Sequence, residues 1–195
     1  MQANDIDALL VTGPAQHNPA MVYFTGVSHL STADLIKKRG EAPILFYMMM
    51  ERGEAALAAE KNQLTTRGLS SYPYQERIKT AQGDPVGAEA LRYCQMLTDL
   101  GITSGRVALY GQAGLNTAFP VFYELQKRMP DISLVGDLGN TILGTAMITK
   151  DAVEIENIRR MGKVTTHVVG EVADYLTSRQ VRGDVLMEKD DQPLT

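Results

Sequence analysis

The feature that most constrains this chain is the alternation, over its first two thirds, of short apolar runs with helix-forming segments. Residues 6–12 (IDALLVT) close at Gly13-Pro14 and read as a buried strand ended by a turn. Residues 21–25 (MVYFT) are β-branched and aromatic, and the spacing predicts a second strand stopped by Gly26. A polar stretch over 28–41, with Lys37-Lys38-Arg39-Gly40 as a solvated turn, leads to a third strand at 43–48 (PILFYM), with Met48-Met49-Met50 finishing it as buried gap-fillers. The alanine-rich segment 51–61 favours helix. Residues 62–83 carry turn residues and give no clear element. Asp84 and Pro85 then mark a helix start, with Val86, Ala90, Leu91, Cys94, Leu97 and Leu100 at helical spacing up to Gly101. A strand at 106–110 (RVALY), a helix over 117–128 and a strand at 132–135 follow. Strands alternating with helices predict an α/β fold, a small mixed, largely parallel sheet flanked by helices.

The last third has a different character. After a connector over 137–149, Asp151 and Glu154 form a capping box, and Ile155, Ile158, Thr165, Val168, Val172 and Leu176 place one apolar stripe on a helix of roughly 20 residues or more. Beyond Ser178 the chain reads as a polar loop with no closing element. That helix reads as the opening of a second domain whose remainder is absent, and Met1-Gln2-Ala3-Asn4 as the last turn of a helix rather than a natural start, so the chain is expected to be trimmed.

Catalytic chemistry is sparse. His17, His29 and His167 are scattered, and none has the partner spacing of a zinc motif. Cys94 is the single cysteine, so no internal disulfide can form, which fits a reducing, cytoplasmic compartment; its place on a helix stripe makes it an inert core thiol. The serines show no nucleophile elbow. Gly111 and Gly114 follow a strand without the full dinucleotide pattern and read as turn glycines. Arg182-Gly183-Asp184 matches an adhesion tripeptide by chance. A net charge of −4 offers no basic face for nucleic acid or an anionic membrane, and the N-terminus is not laid out as a signal peptide.

Several segments taken together resemble a known family. Residues 6–27, with Asn18 and then Tyr23-x-Thr25-Gly26, the strand at 43–48, the helix-strand pair over 97–111, and residues 148–165, with Lys150-x-x-x-Glu154-Ile155, resemble the N-terminal part of the creatinase/prolidase/Xaa-Pro aminopeptidase family. One departure is plain: where family members usually carry an arginine three positions before the matched Lys150, this chain has Met147. The resemblance implies a creatinase N-terminal domain-like, ribonuclease H-like fold over 1–149, with 150–195 the start of a truncated catalytic pita-bread domain. In the family, two Asp, one His and two Glu hold two divalent ions (Mn, Co or Zn), all downstream of Thr195. No catalytic residue and no metal ligand is therefore assigned in this chain.

By the same resemblance, this part of the protein packs on its own catalytic domain and on a second subunit of a homodimer, and limits access of short peptides to the active site. The loop after Tyr23-x-Thr25-Gly26 approaches that site, which makes His29 the substrate-access candidate; an exposed loop histidine without a role is the plain alternative. Two further readings stay open. The parent could be a pseudoenzyme that binds peptides or proteins, or a creatinase-like amidinohydrolase. A stand-alone nucleotide binder would need phosphate-loop chemistry that the sequence does not carry.

Overall fold

The structure, a computed structural model, describes residues 1–139 and 141–194; Asn140, within the expected connector, and Thr195, at the end of the expected tail, lie outside them. The chain divides into two compact units, Met1–Met147 and Ile148–Thr195.

The first unit is built on a six-stranded sheet of β1 (Ala8–Gly13), β2 (Ala33–Lys38), β3 (Ile44–Tyr47), β4 (Thr65–Gly68), β5 (Gly105–Gly111) and β6 (Ile132–Val135). Their order is β4-β3-β2-β1-β5-β6. β2 runs antiparallel to both its neighbours, while β3–β4, β1–β5 and β5–β6 are parallel, so the sheet is mixed and mostly parallel as the alternation predicts. The uninterrupted apolar run of β1 has its cause here. Strands covered on both faces need apolar residues at every position, not at alternate ones. Ala8 and Leu10 enter one core with Ile36, Phe46 and Val107, beneath α4 (Pro85–Asp99) and α5 (Leu115–Arg128). Val11 enters the core on the other face with Leu35 and Leu45, beneath α1 (Pro19–Thr25) and α2 (Arg52–Asn62). Leu9 and Ala108 pack with Leu143 of a further helix, α6 (Ile142–Ile148).

Several expectations need correction. Residues 21–25 are helical, as part of α1. The buried Asn18 caps that helix, its side chain accepting from the Met21 amide at 3.3 Å while donating to the Thr12 carbonyl at 3.1 Å, and Pro19 fits the first helical position. Cap and proline outweigh the strand propensity of MVYFT. The stretch 28–41 is not a loop: it holds β2, and only Arg39 and Gly40 form the turn, Gly40 at φ +80°. Lys37 and Lys38 end a central strand.

Met48, Met49 and Met50 do not fill the core; they are exposed, Met50 almost wholly, because the strand ends at Tyr47 and a 3₁₀ turn, Met49–Glu51, carries them outward. The unassigned 62–83 region contains β4 and a short helix α3 (Tyr74–Thr80), and the connector contains α6. On α4, Asp84 caps as expected, accepting from the Val86 and Gly87 amides at 3.0 and 2.9 Å. Its buried face is rotated, however, onto Gly87, Ala90, Tyr93, Met96 and Leu97, because Tyr93 turns inward to a buried carboxylate. Cys94 is left half-buried, and burial pushes its thiol pKa up.

The second unit is α7 (Ala152–Thr177) followed by a hairpin of β7 (Gln180–Arg182) and β8 (Val185–Met187). The capping box forms as read, with bonds of 2.8 and 2.9 Å between Asp151 and Glu154. The tail is not a polar loop. Gly183 and Asp184 both take positive φ, +53° and +67°, the backbone that a two-residue hairpin turn requires, so the Arg-Gly-Asp tripeptide is a hairpin corner. Arg179 lies 3.9 Å over the Tyr175 ring and pairs with Glu188 at 3.5 Å, and the Tyr175 hydroxyl donates to the same carboxylate. At the other end of the chain, Gln2–Asn4 form a 3₁₀ turn closed by Asp5 in the left-handed region.

Candidate functional site

Register fixes one edge of the sheet as the place where the connecting loops gather. Gly13 lies opposite Ala33, Ala33 opposite Tyr47, Tyr47 opposite Gly68, and Thr12 opposite Gly111, so the carboxyl ends of β1, β3, β4 and β5 share that edge with the start of β2. In open α/β sheets ligands bind outside the carboxyl ends of the strands. At the centre of this edge Gly13 (φ +111°) and Gly111 (φ +117°) allow neighbouring backbones to approach. A Cβ on Gly13 would lie 2.1 Å from the Gln112 carbonyl oxygen, and one on Gly111 would lie 2.0 Å from that of Thr12. Strand contact, not phosphate binding, accounts for the first glycine of the Gly111–Gly114 pair.

The loop 26–32 projects from this edge and carries His29. Ser28 and Leu30 are buried anchors on either side, while Val27 and His29 are exposed. Glu51 accepts from both the amide and the hydroxyl of Ser31 at 2.6 Å, and Glu54 accepts from the His29 amide at 3.3 Å. The Gln16 side-chain amide donates to His29 Nδ1 at 2.7 Å. The loop is thus clamped onto the start of α2, with an imidazole and an isopropyl group presented side by side. That pair can hydrogen-bond and pack against a ligand. Tyr23, expected in the sheet, sits on α1 against Phe24 and is exposed, since its segment is helical.

The backbone carbonyl of His17 accepts from the Gln112 side chain at the same edge, and His167 lies on α7 beside Glu171 at 3.5 Å. Among the described residues no group of three His, Cys, Asp or Glu side chains is close enough to hold a metal ion. Nor, among them, is any helix long and apolar enough to cross a membrane.

Sequence reasoning missed a buried ionic chain beneath the edge. Asp34, on central strand β2, accepts from Tyr93 Oη at 2.9 Å and from Arg92 Nη1. Arg92 Nε donates to Glu89 at 2.9 Å, Glu89 accepts from Arg77 Nη1 at 3.1 Å, and Arg77 also donates to the carbonyls of Ala88 and Tyr72. Burial raises the Tyr93 phenol pKa and the adjacent Asp34 raises it further. Burial opposes the charge on Arg92, but Asp34, Tyr93 and Glu89 outweigh it and hold the guanidinium protonated. Arg92 lies 58 residues from Asp34, and no local pattern announces the pair. The one available signal was an acid inside an otherwise apolar run, Ala33-Asp34-Leu35-Ile36, which needs a partner if buried.

On the β5 side of the edge, a crevice of about 320 Å³ opens between Asn18, Tyr110, Asp137 and Met147. Tyr110 donates to Asp137, which also accepts from the Ile142 amide at 2.8 Å; burial, then this bond, pushes the phenol up to about 12.

Neither a protein-family profile nor a curated protein matches the sequence. Solved structures do match. An X-Pro aminopeptidase from Thermotoga maritima MSB8 superposes on 95% of this chain with a TM-score of 0.56 at 18% identity. A dipeptidase from Pyrococcus horikoshii OT3 superposes on 89% with a TM-score of 0.55 at 13% identity. The chain shares the fold of the matched part of these structures. It spans 44% and 41% of their lengths, less than half of either peptidase structure.

Proposed function

We propose that this chain is the non-catalytic N-terminal part of a metal-dependent Xaa-Pro peptidase-like hydrolase, with residues 1–149 as its N-terminal domain and 150–195 as the opening of its catalytic domain. The observation that carries the reading is the pairing of full with partial coverage: 95% of this chain lies on 44% of an X-Pro aminopeptidase. In this reading two metal ions would be held by residues of the catalytic domain outside this chain and, when bound, would supply the Lewis-acid chemistry for peptide cleavage. The chain's own contribution is positional. The first unit packs on the catalytic domain and a second subunit, and the clamped loop bearing Val27 and His29 narrows the entrance so that short peptides pass. The single cysteine supports a cytoplasmic setting.

The test has two arms. The purified chain should cleave no Xaa-Pro dipeptide and retain no stoichiometric manganese, cobalt or zinc; cleavage or retention would overturn the assignment. In the full-length parent, His29→Ala should change KM about threefold or more with kcat retained, since an access residue acts on binding and not on the chemical step. Unchanged kinetics would remove the role given to His29.

A further inference from the structure

A second cleft on the same edge, of about 400 Å³, is walled by Met48, Met49, Tyr72 and Tyr74 and floored by Arg77, Glu89 and Arg92. Its walls are apolar for a physical reason. The Tyr72 hydroxyl is already committed, donating to Asp99 at 2.9 Å and accepting from Arg67 at 2.8 Å, so Tyr72 offers the cleft its ring; Met48 and Met49 add flexible, polarizable thioethers at the rim. The floor is different. Arg77 and Arg92 expose only 6% and 12% of their side chains, and both bind Glu89, one on each carboxylate oxygen. Arg77 uses Nε and Nη1 on protein acceptors, and Arg92 likewise. Among the described residues the Nη2 group of neither arginine has a protein acceptor, and neither is sealed from solvent.

We propose that this cleft binds a carboxylate borne on an apolar body of amino-acid size, the carboxylate taken by the free Nη2 donors of Arg77 and Arg92 and the body lying between the methionines and the two tyrosine rings. The floor already grips one carboxylate, that of Glu89, between the same two guanidiniums, and planar forked donors suit a second. Two arginines face Asp34 and Glu89, so the floor is formally neutral, and the preference for a carboxylate comes from the planar forked donors and not from net charge. Volume agrees, since about 400 Å³ falls at the small end of ligand cavities. The assignment stands on the cleft alone and is independent of the peptidase reading.

The carboxylate could belong to a free N-acylated amino acid or to the C-terminus of a peptide, and the experiment separates them. The ¹⁵N-labelled chain is titrated with N-acetylleucine, N-acetylleucinamide, and a blocked tetrapeptide ending in leucine as the free acid or the amide. The acids should shift the amide signals of Met48, Met49, Tyr72 and Tyr74, and each amide should bind about tenfold more weakly, the loss of a charge-assisted hydrogen-bond pair. A response to both acids assigns a small-molecule site, and a response to the peptide acid alone assigns a peptide terminus. Met49→Asp lies on the exposed rim, so folding is retained while acid binding weakens about threefold or more. Glu89→Gln should tighten it by removing the competing resident carboxylate. No shift at the four residues with either acid, or equal binding of acids and amides, overturns the proposal.

Discussion

The two units of this chain contain similar apolar residues and use them in opposite ways. In the first, Ala8, Leu10 and Val11 of β1 are wholly excluded from water, with helices over both faces of the sheet. In the second, α7 has a stripe of the same residue types, Ile158, Val168 and Val172 among them, and each of these stands about half exposed. α7 therefore depends on local devices: a capping box at its start and the Arg179–Tyr175–Glu188 cluster at its end. The contrast teaches that amphipathic periodicity creates a surface to be covered without covering it. A 48-residue unit of one helix and one hairpin has too little interior to do so.

Substitutions can break or sharpen that comparison. The largest effect is expected at Asp34→Ala, which strands the Arg92 guanidinium in a dry interior; about 3–5 kcal/mol should be lost, read by urea unfolding. A loss below about 1 kcal/mol would mean that the ionic chain is solvated. Next, Leu10→Ala should cost about 3 kcal/mol by leaving a cavity in the core, whereas Val168→Ala on the α7 stripe should change stability by no more than about 0.5 kcal/mol. Equal costs would show that something buries α7 in solution and would erase the contrast. Asp151→Ala removes the capping box and should cost the helix about 1 kcal/mol. The loss should appear as faster hydrogen exchange at the first turn of α7, with exchange in β1 unaltered.

The smallest effect is alkaline. The Tyr110 phenol is raised from 10.0 to about 12 in the folded protein, so its proton is lost first from the unfolded chain. Its contribution is complete below pH 10 and declines as pH rises towards 12. Tyr110→Phe should flatten that part of the stability profile. Tyr175 is also raised, by its bond to Glu188, but it stands at the exposed end of α7; Tyr175→Phe should leave the profile nearly unchanged.

The legible parts of the sequence were those whose cause is local. The capping box of α7, the Asp84-Pro85 start of α4 and the strands of residues 6–12, 43–48, 106–110 and 132–135 each appear close to where their residues place them. The misread elements were short ones with mixed signals. α1 carries strand-forming residues behind a good cap, β2 carries an acid and two lysines, and β4 and α6 are four and seven residues long. Of the candidate site, sequence placed His29 in the loop after Gly26. It could not place Gln16, Glu51 and Glu54 around that loop, since the two glutamates lie 20 and 25 residues from the groups they hold.

Composition and periodicity by themselves determined an α/β layer with a long helix after it, because burial of apolar runs and capping of helix ends act over a few residues. The tertiary structure alone decided which polar groups could enter the interior. Asp34 is tolerable on a central strand only because Arg92 and Tyr93 arrive from α4, and the methionines after Tyr47 are exposed only because β3 ends where it does. A buried charge is stabilised by partners brought across the fold, and nothing in the neighbouring sequence states which partners those will be.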